Sequence, residues 1–198
     1  MKKTLLTVLA ATTAFTLPAV PAFAQQDTAE ACFVYVGSRT DGGWSQAHDM
    51  ARMEVEEHFG DAVTTTFVEN VPEASSEGTI ERLARSGCDI IFTTSFGFMD
   101  PTLAVAERFP DVKFEHATGY KTAENMTAYN SRFYEGRYIQ GQIAASISET
   151  GTAGYIASFP IPEVVQGINA FLLGAQSIDP DFSVRVVWVN SWYDPGAE

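Results

Sequence analysis

Short β-patterned runs alternate with helical stripes along this chain, and that alternation restricts the fold more than any other feature. The runs CFVYVG (32–37), VTTTFVE (63–69), CDIIFTTS (88–95), VKFEHA (112–117) and MTAYN (126–130) are brief and rich in Val, Ile, Phe, Tyr and Thr. Between the first four, apolar residues recur at helical spacing. Ala47, Ala51, Val55 and Phe59 form one stripe, Ile80, Leu83 and Ala84 a second, and Leu103, Ala104, Ala106 and Phe109 a third. Strand-helix-strand repetition at this spacing predicts parallel strands with right-handed crossovers, hence an α/β fold with a doubly wound parallel sheet. A helix is predicted over 134–148, stopped by Gly151. The pattern then restarts with TAGYIAS (152–158), a helix over 163–177, and FSVRVVWVN (182–190). We therefore expect an N-terminal lobe over 25–150 and the start of a second lobe over 151–198, joined by a short hinge.

Residues 1–24 read as a cleavable secretory signal. Lys2 and Lys3 precede an apolar stretch that ends in Ala22-Phe23-Ala24. No cysteine stands at the cleavage point to take a lipid, so the expected product is a soluble protein of the periplasm. Its loss lowers Lys+Arg from 12 to 10 against 25 acids, moving the net charge from −13 to −15. An acidic surface argues against nucleic acid and anionic membrane as partners. The remaining residues, about 174, suffice for one domain or for one lobe and part of another. The sequence closes in a turn after a strand where a doubly wound protein calls for a helix, so the chain is expected to be part of something longer.

Ligands of open α/β sheets bind beyond the carboxyl ends of the strands. That rule selects the loops 37–44, 95–101, 190–196 and 158–163. The first, GSRTDGGW, looks like a phosphate turn but lacks both the lysine of a P-loop and the G-x-G-x-x-G spacing of a dinucleotide site. What remains is a turn that sets the Trp44 indole, with Ser45 beside it, at a helix N-terminus, either against a flat ligand or capping the core. The second loop offers Phe96 and Phe98 as a wall and Asp100 as an acceptor, although Asp100 beside Pro101 also fits a helix cap. Trp192 in the third loop can face Trp44 across a cleft, and the fourth loop adds Pro162 and Glu163.

Catalytic chemistry finds little support. His48 and His58 point in different directions on one helix, no G-x-S-x-G elbow exists, and no metal-ligand spacing is present. His116 at a strand end is weighed as a structural histidine ahead of a functional one. No catalytic residue, metal or cofactor is expected. Cys32 and Cys88 each open a strand; in an oxidising compartment they are a disulfide candidate, the alternative being two small buried hydrophobes.

The stretches CFVYVGSRTDGGWSQAHDMAR, LARSGCDIIFTTSFGFMDPTLAVAERFPDVKFEHATGY, NSRFYEGRYIQGQIAA and GYIASFPIPEVVQGINAFLLGAQSIDPDF resemble the basic-membrane-protein (BMP) family of ABC-transporter substrate-binding proteins. The resemblance covers almost all of the chain after the leader. It implies a type I periplasmic-binding fold, in which two lobes hinge shut on a ligand that is handed to a membrane permease and its ATPase. It further implies a purine base or nucleoside as ligand, adenine-like where a tryptophan stands in the first loop. Trp44 matches the aromatic that stacks on the base. Ser45 stands where asparagine is common, and Gly167 where a second stacking phenylalanine is found, which leaves Trp192 or Phe96 to substitute. The family's ribose-binding lysine and acids would lie beyond Glu198. Two rival functions share these residues: a ligand sensor for a membrane receptor, and, less favoured, a periplasmic purine nucleoside hydrolase.

Overall fold

The computed structural model describes residues 28–197, so the leader reading falls outside them. Within them lie β1 (Ala29–Val34), α1 (Trp44–Phe59), β2 (Val63–Val68), α2 (Ser76–Ser86), β3 (Ile90–Thr93), α3 (Met99–Arg108), β4 (Lys113–Ala117), β5 (Met126–Tyr129), α4 (Phe133–Ile147), β6 (Thr152–Ala157), α5 (Pro162–Gln176) and β7 (Ser183–Trp188). The first five strands form one parallel sheet in the order β2-β1-β3-β4-β5. Strands β6 and β7 form a separate parallel pair. The α/β class and parallel sheet expected from the alternation are both present.

Side chains of a strand alternate between the faces of its sheet, and in β1 the two sets meet different chemistry. Cys32 and Val34 join Ile80 and Leu83 of α2, Ile91, Val105 of α3 and Phe114 in the main apolar core. Ala31, Phe33 and Tyr35 face the other way, and the Phe33 ring stacks on Phe92 at 4.7 Å. Helix α1 covers this second face with polar residues. Ser45, Asp49 and Arg52 are buried, whereas Ala47, Ala51 and Phe59 of the expected apolar stripe are exposed and Val55 is half-buried. A hydrogen-bonded network makes the inversion affordable: Arg52 Nε donates to Asp49 Oδ1 at 2.7 Å, Arg52 Nη1 to Thr65 Oγ1 at 2.7 Å, and the Tyr35 hydroxyl to Asp49 at 3.3 Å. The Arg52 guanidinium also lies 5.1 Å from the Phe67 ring centre. Periodicity scores hydrophobic residues and so misses a face built from paired charges.

The second pair of strands is covered by α5, whose Phe171 meets Tyr155 of β6 edge-on at 5.6 Å. Helix α4, read from sequence as part of the first lobe, packs on α5 instead. A Cβ added at Gly141 would lie 1.9 Å from the Phe171 carbonyl oxygen, and one at Gly174 would lie 2.0 Å from that of Tyr138. The two helices therefore touch backbone to backbone, at a distance only glycine permits. Cys32 and Cys88 are joined in a disulfide, with Cα atoms 6.0 Å apart, between the second half of β1 and the turn that leads into β3.

Candidate functional site: a cleft between the two sheets

A cavity of about 780 Å³ opens beyond the carboxyl ends of both sheets. Its first wall comes from the turns after β1 and β3, which flank the point where the strand order reverses, the expected ligand position in such a sheet. Its second wall comes from the turns after β6 and β7 and the first turn of α5. All four loops selected from the sequence contribute residues.

The turn after β1 is organised by Asp41. Its Oδ1 accepts from the backbone N–H of Gly43 at 2.8 Å and Gln46 at 3.1 Å, and its Oδ2 from that of Ser45 at 2.9 Å. Burial pushes this carboxyl up, but these donors outweigh it and hold the group below the usual carboxylate range. A helix N-terminus binds anions through such amides. Here the chain's own carboxylate fills that position, so the phosphate-like turn takes up its own anion. Gly42, with φ of 72°, lets the chain reverse just before the helix.

Trp44 therefore opens α1 with its ring at the cavity wall, 37% exposed. The indole Nε1 donates to the Thr94 carbonyl, and the ring lies 4.7 Å from His48 and 6.1 Å from Phe133 between centres. From the opposite wall, Trp192 packs on Phe159 at 4.9 Å and its Nε1 donates to Glu73 Oε1 at 3.1 Å. Glu73 Oε1 also accepts from the Ser95 hydroxyl and, at 3.1 Å, from the Gly97 N–H. A Cβ at residue 97 would lie 2.3 Å from the Glu73 carboxyl carbon, so glycine is what lets the carboxylate lie over that turn. Glu73 thus ties the two walls together through a single oxygen.

The sequence-selected residues separate clearly. Trp44, Phe96, Glu163 and Trp192 line the cavity. Phe98 does not: it is fully buried in the main core, because the tight turn over Phe96–Phe98 sends the two rings in opposite directions. Asp100 is on the outer surface, paired with Lys121 at 2.7 Å, so it is no acceptor in the cleft. Ser45 is buried, its Oγ accepting from the Gly37 N–H at 3.2 Å, and Pro162 forms the first turn of α5 outside the lining. Burial pushes the Glu163 carboxyl up, and a hydrogen bond with the Asn130 side chain opposes the shift. Gly167 lines the cavity, with the Arg137 stem 3.6 Å from where a Cβ would stand. His116 is buried beneath the site, its Nδ1 2.9 Å from Thr93 Oγ1, and burial lowers its pKa to about 4.

Asp41, Asn70, Glu73, Thr118 and Arg137 line the cavity and were not singled out from sequence. Arg137 donates to Gln140 at 3.0 Å and has no carboxylate partner among the described residues. Asn70 and Thr118 follow strands just as the selected loops do, so the strand-end rule reaches them, but neither carries an aromatic ring that would mark it. Among the described residues no group of His, Cys, Asp and Glu could hold a metal ion, and no helix is long and apolar enough to cross a membrane.

Residues 28–198 match the family model Bmp, described as ABC transporter substrate-binding protein PnrA-like. The chain belongs to the Bmp family. A purine-binding protein of Brucella abortus (strain 2308) is 66% identical over 167 residues, which are 84% of this chain and 48% of that protein. A Haloferax volcanii protein named for ABC-transporter glucose binding is 49% identical over 169 residues, 85% of this chain and 43% of the relative. This Bmp chain thus spans about half the length of the curated relatives it matches. Among solved structures, an ABC transporter solute-binding protein from Aeropyrum pernix K1 superimposes with a TM-score of 0.77 at 23% identity, over 85% of this chain and 50% of the other. A 5-methylthioribose transporter solute-binding protein from Thermotoga lettingae gives 0.62 at 12% identity, over 82% and 51%. The fold of this Bmp chain is that of periplasmic binding proteins, and both relatives named above are described as binding proteins.

Proposed function

We propose that the chain is the periplasmic ligand-binding component of an ABC transporter. It takes a purine base or nucleoside, an adenine-like base being favoured, into the cleft between its sheets and passes it to a permease driven by an ATPase. The carrying observation is how the two cleft tryptophans use their polar atoms. An indole has one donor and no acceptor. Trp44 commits its donor to Thr94 and Trp192 to Glu73, so what each ring has left to offer a ligand is apolar surface. Stacking a base on an aromatic ring is worth roughly 1–3 kcal/mol, and two such rings supply a large part of a micromolar affinity without any phosphate contact. The purine-binding relative at 66% identity supports the same ligand class. Asp41, already holding the amides of the first turn, disfavours a phosphorylated ligand at that point.

Isothermal titration with adenine, guanine, adenosine and guanosine, read alongside tryptophan fluorescence, tests the reading. We expect heat and quenching with at least one purine. Silence in both signals with all four overturns it, and heat with glucose alone would move the ligand to the sugar for which the Haloferax relative is named.

A further inference from the structure

Left-handed backbone conformations in this molecule fall into two groups. Away from the cavity lining, each residue with positive φ among those described is a glycine: Gly42, Gly60, Gly87 and Gly151. On the cavity wall each is not. Asn70, Thr118 and Asn190 have φ of 56°, 70° and 52°, and all three line the cavity. Glycine adopts this conformation at little cost, asparagine tolerates it, and a β-branched residue is a marked outlier. Thr118 is therefore the most strained of the three.

Each of the three stands one or two residues beyond a strand end: Asn70 after β2, Thr118 after β4, Asn190 after β7. The backbone holds each in place by its own N–H, to Gly37 O at 3.1 Å, Tyr129 O at 2.9 Å and Ser158 O at 2.9 Å respectively. Their side chains make no hydrogen bond to the described residues, so the strained conformation gains nothing internal from carrying a carboxamide or a hydroxyl. Strained positions that persist cluster at active sites and ligand clamps, where the strain is part of the function.

We propose that Asn70, Thr118 and Asn190 are the polar ligand contacts of the cleft, two carboxamides and a hydroxyl that hydrogen-bond the ring edge of the molecule held by the tryptophans. A carboxamide offers a donor and an acceptor side by side, which matches the alternating donors and acceptors of a purine edge. The assignment of a purine edge rests on the function proposed above; the assignment of the three residues rests on the backbone.

Replacing each by glycine separates the two roles a side chain can have. Asn70→Gly, Thr118→Gly and Asn190→Gly relieve the left-handed strain, so the thermal midpoint of the ligand-free chain should hold or rise. Each variant should bind the titrated ligand roughly tenfold more weakly, the loss of one hydrogen bond. Glycine variants that bind as tightly as the parent overturn the proposal. If Thr118→Gly loses both midpoint and affinity, Thr118→Ser decides, because keeping the hydroxyl must then keep the affinity, and a loss there also overturns it. Running each variant against both the purines and glucose keeps the readings apart. Glucose binding weakened by the glycine variants removes the purine and keeps the three contacts, whereas purine binding unchanged by them does the reverse. A parent chain that binds neither ligand overturns both.

Discussion

The five-stranded sheet and the β6–β7 pair reach their burial differently. In the first, β1 has a strand on either side, apolar helices α2 and α3 cover one face, and α1 covers the other with an ion-paired network, so Cys32, Val34, Ile80, Ile91 and Val105 are fully shielded. In the second, Ile156, Val187 and Trp188 remain 52%, 60% and 37% exposed. Its tight packing is concentrated between two helices, at bare backbone, through Gly141 and Gly174. One region is held by a large core and a covalent link, the other by a small core around Ala157, Ala175 and Phe182 and one close helix contact. The cleft lies where the two meet, so resistance to unfolding and the position of the second wall have separate origins.

The largest test of that contrast is the disulfide. Cys32 and Cys88 are 56 residues apart in sequence, and closing a loop of that length is worth about 4 kcal/mol in the chain-entropy account. Cys32→Ser combined with Cys88→Ser should lower the urea midpoint by a corresponding amount. An unchanged midpoint would show that the first region does not depend on the link.

Next comes the buried histidine of the same region. With a folded pKa of about 4 against an ordinary 6.5, His116 stays neutral in the folded state while the unfolded chain takes up a proton. Its contribution is complete above pH 6.5 and is lost as pH falls from there to about 4, on the order of 3 kcal/mol in all. His116→Gln should flatten that limb of a stability-versus-pH curve; a limb equally steep in the variant would refute the assignment.

The second region has a smaller vulnerability. Gly174→Ala forces a methyl into the Tyr138 carbonyl, and we expect the helix pair to separate at a cost of about 1–3 kcal/mol. Hydrogen exchange should rise in α4 and α5 and hold in β1 and β3. Uniform loosening of both sheets would mean that the regions unfold as one. The smallest effect belongs to the bridge: Trp192→Phe keeps an aromatic ring but removes the donor to Glu73, which retains Ser95 and Gly97. Urea denaturation should show a loss of about 1 kcal/mol, with hydrogen exchange raised only at the contact between the regions.

Much of this architecture was legible because strands write themselves as short runs rich in β-branched and aromatic residues, whether or not both faces are buried. The run 63–69 became Val63–Val68, 126–130 became Met126–Tyr129, and 182–190 became Ser183–Trp188. What periodicity could not carry were the exceptions. The α1 stripe pointed to the wrong face because Asp49 and Arg52 are buried as a pair. The α4 assignment followed chain order, whereas glycine contact with α5 decides its neighbour. At the site, Trp44 and Trp192 stood out by their rings, but Phe98 and Asp100 carried the same chemistry as Phe96 and Glu163 with the opposite direction, which a one-dimensional pattern does not record. Asn70 and Thr118 left no compositional mark, because what distinguishes them is a backbone angle.

The Asp41 turn has a consequence for how binding energy is used. Three amides held by one carboxylate fix the entry into α1, and the Thr94 carbonyl fixes the orientation of the Trp44 indole. The conformational entropy of ordering that ring is lost when the chain folds, so a ligand arriving at the cleft does not lose it again. Preorganisation of this kind turns a modest stacking contact into usable affinity, and Trp192, held by Glu73 and Phe159, brings the same advantage from the opposite wall.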